Sequence, residues 1–435
     1  MIPPEEQLGS DGMRWLVIGL LFAVYIFETA VAVLNYQHSR KPIPENVEDV
    51  YDRERYKKWL AYSLEGHRFS LVLQGFNLLV LLILLLGPLA WLARQVSAWA
   101  AHPTWQTLAF LGIYQTFMVL AGVPFRLYRT FSIEERHGFN RTTKQVFIRD
   151  TVVSYLVTLA LGGLLLGGIH LIFLKLSGNL WGFAAATWAS LAVIMVLAAA
   201  FVGKWLMRLF NKFTALPAGE LRTRIEELGS SQGFNVKAIL VMDASKRSTK
   251  SNAVFAGIGR TREVILFDTL LERMSDDEIL AVLAHELGHA VHKDTWRLLG
   301  RQVALMALYA AAIGLILQSP GLYVAFGFSG VHFGFGVILF SILLEPVSLL
   351  LGIPFNLLSR RAEFKADAFA AEQTDPAWMI SALKALAREN LVNLNPHPLA
   401  VLLYYSHPPV SERIAAIAEG SWQQIQKKGR NSYGF

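Results

Sequence analysis

No cysteine occurs in the 435 residues. That absence excludes disulfides and thiolate metal ligands together, and leaves His, Glu and Asp as the side chains able to hold a metal ion. Charge is scarce as well. Asp, Glu, Lys and Arg make up 17% of the chain against 54% hydrophobic residues, too apolar a balance for an ordinary soluble protein. Low-complexity tracts and internal repeats are also lacking. What the chain has in abundance is long apolar runs. Seven stretches, 15–34, 69–92, 105–125, 151–174, 180–202, 298–317 and 331–351, are long enough to span a bilayer, which takes about 20 helical residues. The sixth is the least clean, because Arg301 and Gln302 sit inside it. An acidic tail (Glu5, Glu6, Asp11) precedes the first, and no small-residue cleavage site follows it. It is therefore expected to be a retained span and not a signal peptide.

The few charges are distributed unevenly. Arg40, Lys41, Arg53, Arg55, Lys57, Lys58 and Arg68 lie between spans one and two; Arg126, Arg129, Arg136, Arg141, Lys144 and Arg149 lie between three and four. The alternate connections carry only Arg94 and Lys175. The positive-inside rule then puts the N-terminus outside and the C-terminus in the cytoplasm, in a bacterial inner membrane or, second, that of the endoplasmic reticulum. This asymmetry accounts for the net charge of +7, so no nucleic-acid partner is needed.

One short motif carries chemistry. In His285-Glu286-Leu287-Gly288-His289 the two histidines are four residues apart, so on a helix both imidazoles share a face and can reach one metal ion. Glu286 beside them can act as general base for a hydrolytic water. The alternative is two histidines on an ordinary amphipathic helix. Local context favours the site: Ser275 to Glu278 is a capping box, and Ile279, Leu280, Val282 and Leu283 form an apolar stripe behind it. A third ligand must come from elsewhere. Glu363 and Asp367 are also four apart; Glu363 would complete a two-histidine, one-carboxylate zinc site, and Asp367 would accept a ring N–H from a ligand histidine. On spacing alone, a solvated acidic pair balanced by Arg360, Arg361 and Lys365 is as good a reading. His292 is a competing ligand, less well placed one turn beyond His289.

The expected fold class is mainly α: a polytopic membrane protein with about seven spans and a small α+β metallopeptidase domain split around the last two. Residues 1–203 form a five-span membrane domain, 204–297 and 356–435 the two halves of the cytosolic domain, and 298–355 spans six and seven. Residues 236–242 and 263–267 predict strands, with 251–257 pairing to the latter through Gly259-Arg260-Thr261. Residues 358–373, 377–389 and 409–424 predict helices. Glu28, Gln74, Asn77, His170, His332 and Glu345 lie inside apolar segments, where such residues rarely face lipid. Taken singly, each is more readily a buried hydrogen bonder, and Glu345-Pro346 could mark a kink.

The residues now carry a resemblance. The run from Ser359 through Glu363 and Asp367 to Ala370 is similar to the third-ligand motif of the type I CAAX prenyl proteases, seven-span zinc metalloproteases that clip prenylated proteins near their C-terminus. Phe131 to Lys144 resembles the family's N-terminal signature, Asp243 to Gly257 and Ile265 to Leu271 the stretch before the zinc helix, and His407-Pro408-Pro409 with Arg413 its late motif. The resemblance implies that His285, His289 and Glu363 bind one zinc, that Glu286 is the base, that Asp367 supports a ligand histidine, and that the helices enclose an aqueous chamber. The match departs at Lys250-Ser251-Asn252-Ala253-Val254-Phe255-Ala256-Gly257, where the family carries His-Ser-Asn-Ala-Tyr-Phe-Tyr-Gly. The changed side chains fall where a substrate cleft would be shaped.

The expected substrate is a membrane-associated peptide or prenylated protein, extended against the strand 251–256, and the changed side chains fit another, unprenylated membrane substrate equally well. Asn252 and Arg413 would grip its main chain, and His407 would stabilise the oxyanion. Two other functions are weighed: a quality-control membrane metalloprotease, expected to have about four spans and no Phe131 to Lys144 signature, and a transporter or channel with a structural metal.

Overall fold

The structure is a computed structural model that describes residues 4–199, 203–256 and 261–420. Six long or medium helices begin the chain: α1 (Pro4–His38), α2 (Arg53–Leu85), α3 (Pro88–Trp99), α4 (Pro103–Tyr128), α5 (Lys144–Leu176) and α6 (Leu180–Leu197). After α7 (Gly203–Phe210) come β1 (Phe213–Ala215), α8 (Glu220–Ser231), β2 (Asn235–Met242), β3 (Ala253–Ala256) and β4 (Thr261–Phe267). Then follow α9 (Asp268–Leu271), α10 (Asp276–Val291), α11 (Asp294–Leu317), α12 (Pro320–Val324), α13 (Phe333–Gln373), α14 (Pro376–Asn390), α15 (Pro398–Tyr404) and α16 (Val410–Ala418). Among the described residues seven helices, α1, α2, α4, α5, α6, α11 and α13, are long and apolar enough to cross a membrane, as the seven apolar runs predict.

Two helix boundaries differ from the sequence expectation. The second apolar run, 69–92, is not one helix. It breaks after Leu85, where Gly87 takes φ 153°, a backbone conformation side chains with a Cβ rarely adopt, and Pro88 opens α3 at its first position. Conversely, span seven does not stop at Leu351 before a new helix at 358. One 41-residue helix, α13, runs from the bundle to the metal site with Pro346 and Pro354 inside it. Each proline removes one backbone bond, and the helix carries on through both. This continuity makes α13 a rigid strut that delivers a carboxylate from the membrane bundle. The predicted helix 409–424 starts as expected, and its end beyond residue 420 lies outside the described residues, as do residues 200–202 of span five and the turn at 257–260.

Both Lys/Arg-rich connections pack on the domain that holds the histidine motif. Lys384 reaches Asp49 at 2.6 Å, Arg55 reaches Glu389 at 3.0 Å, and the Tyr51 hydroxyl donates to the Ala387 carbonyl at 3.0 Å. Asn140 bridges to Ser248, and Arg141 N–H donates to the Arg247 carbonyl at 3.1 Å. Arg247 in turn holds Asp150 of α5 with two bonds at 2.7 and 3.2 Å. The two loops therefore share one end of the molecule with the site.

The sheet order is β1-β2-β4-β3, with β2 and β4 parallel and β3 antiparallel to β4. β1 was not expected; three residues are too few to show a period. β3 is an edge strand. Behind the sheet, Ile239, Val264, Leu266 and Leu270 pack against Ile279, Val282 and Leu283 of α10, so the apolar stripe of the motif helix fixes it to the sheet. Within the bundle, a cavity of about 770 Å³ lies between α2, α4, α5 and α13. Its apolar lining carries Tyr114, Gln115, Thr158, Ser341, Glu345 and Ser348, and none of the site residues. His170 and His332 are instead packed on rings, at 4.7 Å from Phe333 and 4.6 Å from Phe110.

Candidate metal centre

Helix α10 starts where its cap dictates. Ser275 Oγ accepts from Glu278 N–H at 3.3 Å, and the Glu278 carboxylate accepts from Ser275 N–H at 2.9 Å. Every residue from Ile279 to His285 is buried, and His285 and His289 lie one above the other on the face turned to α13. The two helices come unusually close at Gly288. A Cβ there would lie 3.1 Å from Ala366 Cα and 3.2 Å from Phe369 Cδ1, so no larger residue fits without pushing α13 away. That contact brings Glu363 and Asp367 up to the histidines.

His285, His289 and Glu363 each offer a ligand atom, and these atoms all lie within 4.8 Å of one another. His285 Nε2 and His289 Nε2 are 3.2 Å apart; Glu363 Oε2 is 3.5 Å from the first and Oε1 is 3.3 Å from the second. The far side of each ring is fixed by a carboxylate. Asp367 Oδ1 lies 2.8 Å from His285 Nδ1, and Asp294 Oδ2 lies 3.0 Å from His289 Nδ1. Carboxylates on Nδ1 hold a proton there and leave both Nε2 lone pairs facing inward. Glu363 Oε2 is buried and has no hydrogen-bond donor of its own. Two inward lone pairs and an under-used buried carboxylate oxygen are the donor set of a divalent ion, and of zinc in particular.

The electrostatics agree. Burial opposes ionisation of Glu363, yet His285, His289 and Arg413 together hold it well below the usual carboxylate range. Burial likewise disfavours protonated His289, but Asp294, Glu363 and Glu286 outweigh it and push the imidazole up to about 10. The pocket thus favours positive charge. Glu286 is half-buried and close enough to act on both His289 and Arg413.

The remaining expected residues are placed unequally. His407 is mostly exposed at the rim, its Nε2 3.4 Å from Glu363 Oε1 and its Nδ1 3.0 Å from Ser406 Oγ. Asn252 is exposed beside the edge strand, its Oδ1 accepting from Ala253 N–H at 2.9 Å and its carbonyl from Phe267 N–H at 3.1 Å. Arg413 reaches both carboxylates. Its Nε and Nη2 bond Asp367 at 2.7 and 2.5 Å, and its Nη1 lies 3.7 Å from Glu363. The guanidinium is largely buried, with 12% of its side chain exposed, and braces the carboxylates. His292 is the C-cap of α10 and packs on Phe369 at 6.1 Å, outside the ligand cluster. Sequence reasoning missed Asp294 altogether. It lies five positions after His289, off the helical face, and reaches the ring because Lys293 takes a left-handed φ of 58° and restarts the helix as α11.

Comparison with known proteins gives the family. Residues 32–212 match the CAAX prenyl protease N-terminal family of five membrane helices, and residues 215–421 match peptidase family M48. The CAAX prenyl protease 1 homologue of Arabidopsis thaliana is 35% identical over 92% of this chain and 96% of its own length. The CAAX prenyl protease 1 of Saccharomyces cerevisiae is 32% identical over 96% of this chain and 98% of its own. The crystal structure of S. mikatae Ste24p superposes with a TM-score of 0.88 at 29% identity, covering 96% of this chain and 99% of that one. The chain is a multi-pass membrane metalloprotease that belongs to the CAAX prenyl proteases of peptidase family M48.

Proposed function

We infer that this metalloprotease is a zinc endopeptidase that cleaves prenylated, membrane-associated substrates near their C-terminus. The observation that carries the reading is the convergence of His285, His289 and Glu363, each imidazole braced by its own carboxylate, with Glu286 alongside. The relatives named above supply the substrate class. The match of 32–212 to a five-helix membrane domain favours this reading over a quality-control protease.

His285, His289 and Glu363 would hold the zinc, which when bound supplies a Lewis acid for polarising a carbonyl. Asp367 and Asp294 keep the two rings in the tautomer that presents Nε2. Glu286 takes the proton from the attacking water and passes it to the leaving amine. His407, at the rim beside Glu363, donates to the developing oxyanion. The substrate chain pairs with the open edge of β3, where Asn252 offers its amide. Arg413, tied to Asp367, keeps the carboxylate scaffold in place.

The domain division at 203, 297 and 355 stands as our reading of where membrane and catalytic parts meet, with α13 crossing the last boundary. The loops that pack on the catalytic domain are the basic ones, so that domain faces the cytoplasm. Single cysteines at Arg53 and Ser230 should label from the same side, and one at Ser97 from the other; opposite labelling of the first two contradicts this orientation. The function is tested by mass spectrometry of a prenylated peptide incubated with purified protein in detergent. Cleavage near the C-terminus, abolished by a chelator and restored by zinc, is expected. Chelator-insensitive cleavage would refute the reading.

A further inference from the structure

Two apolar spaces lie along α2 and α4, and they open in opposite directions. The internal cavity takes Leu81 of α2 and Gln115 of α4 into its lining. A second space, a groove of about 660 Å³, has Phe69 and Val72 of α2 and Pro124, Phe125 and Tyr128 of α4 as its apolar walls. Val72 stands nine positions before Leu81, and Pro124 nine after Gln115. At about 100° per residue, nine steps turn a helix through half a revolution, so the groove faces out of the bundle toward the bilayer. Val72 is accordingly 63% exposed and Tyr128 49%. Phe69 ties the two walls together, its ring 5.9 Å from that of Tyr128 and 6.2 Å from that of Phe125.

The rim of the groove is charged. Glu65, Arg68 and Arg136 line it at the end nearer the catalytic domain. The apolar run of α2 begins at Phe69, one residue after Arg68, which sets these charges at the level of the lipid headgroups. Glu65 is already taken: Arg136 bonds one of its oxygens, and His137 Nε2 lies 2.9 Å from the other. Arg68 is exposed and, among the described residues, has no ion pair or hydrogen bond. Two arginines against one glutamate leave the rim net positive. A π turn brings the second arginine here. In an unbroken α-helix the face of Pro124 and Tyr128 would continue at Ser132 and Glu135. The segment Arg129–Glu134 is instead a π-helix, whose wider turn takes up one more residue, so the groove receives Ile133 and Arg136. Glu135 is exposed and accepts from Asn140 Nδ2 at 2.7 Å.

We propose that this groove holds one anionic phospholipid of the surrounding leaflet, with the headgroup phosphate on Arg68 and Arg136 and an acyl chain along Phe69, Val72 and Phe125. The rim supplies guanidinium donors that match a phosphate, and the walls supply apolar surface that a free phosphate would not use. The site is separate from the metal centre and does not depend on which peptide is cleaved there.

The test titrates the full-length protein in detergent with palmitoyl-oleoyl phosphatidylglycerol or phosphatidylcholine and counts bound lipid by native mass spectrometry, a readout independent of turnover. One phosphatidylglycerol should be retained per chain, about fivefold more tightly than phosphatidylcholine, as expected for one net arginine charge at a membrane surface. Arg68→Gln breaks no bond within the protein and should bring the ratio toward one, whereas Arg68→Lys should keep it. Equal binding of the two lipids, or a preference that survives Arg68→Gln/Arg136→Gln with zinc content unchanged, overturns the proposal. Displacement of the lipid by an equal concentration of glycerol phosphate also overturns it, since the acyl chain would then contribute nothing. Release of the lipid by the prenylated peptide would make the groove a substrate seat instead, and would equally contradict a lipid site.

Discussion

Around α10 and α13 the buried carboxylates come in partnered sets, whereas in the membrane bundle several buried polar atoms have no partner. Asp367 is 1% exposed and takes both His285 and Arg413; Arg360 is 5% exposed and donates to the Val401 carbonyl at 2.9 Å. In the bundle, Thr29 Oγ1, Gln74 Oε1, His170 Nδ1 and Thr187 Oγ1 are buried with no protein partner. Unpartnered buried polar atoms cost stability, so natural sequences keep them few. The contrast separates a preorganised centre from a bundle whose polar groups need no fixed geometry. One exception at the centre is informative: Glu363 Oε2 has no hydrogen bond among the described residues and lies 3.5 Å from His285 Nε2.

The comparison breaks most sharply at Glu363. Glu363→Ala should lose the zinc and lower turnover by more than about 100-fold, beyond what removal of a ligand's outer partner costs. Metal analysis of the purified variant checks this, and unchanged zinc content would remove Glu363 from the ligand set. A smaller effect is expected at Asp294. Asp294→Ala frees His289 Nδ1 and should weaken zinc binding by about 10- to 100-fold, with the protein still folded. Competition with a chelator of known affinity measures it; wild-type affinity would make the contact incidental. The smallest change belongs to the bundle. Gln74→Met replaces an amide whose buried oxygen has no partner with an apolar chain of similar size, and should leave stability within about 0.5 kcal/mol or raise it. A clear destabilisation in a thermal melt would mean that Gln74 belongs to a network like the one at the metal centre.

Much of the centre was legible before any coordinates. The cap at Ser275, the four-residue histidine spacing and the four-residue spacing of Glu363 and Asp367 are local patterns, and the helical period carries them. What was not legible depends on chain reversals and long-range packing. Asp294 needed the left-handed residue Lys293, which no spacing rule anticipates. Arg413 lies 46 positions from Asp367, and no spacing rule joins the two. The bundle shows the same division: apolar runs located seven spans, but hydropathy could not see that Gly87 and Pro88 cut the second run or that α13 carries on past two prolines.

The central claim is that the acid beside the ligands does chemistry and does not hold the metal. Glu286 is adjacent to His285, so its side chain starts about 100° around the helix from the ligand face. Glu286→Gln keeps the shape and removes the base. Zinc content and turnover measured on the same purified sample test this most directly. One zinc per chain with turnover reduced at least about a hundredfold is the expected result. Near-normal cleavage with zinc bound, or loss of zinc together with activity, would contradict it.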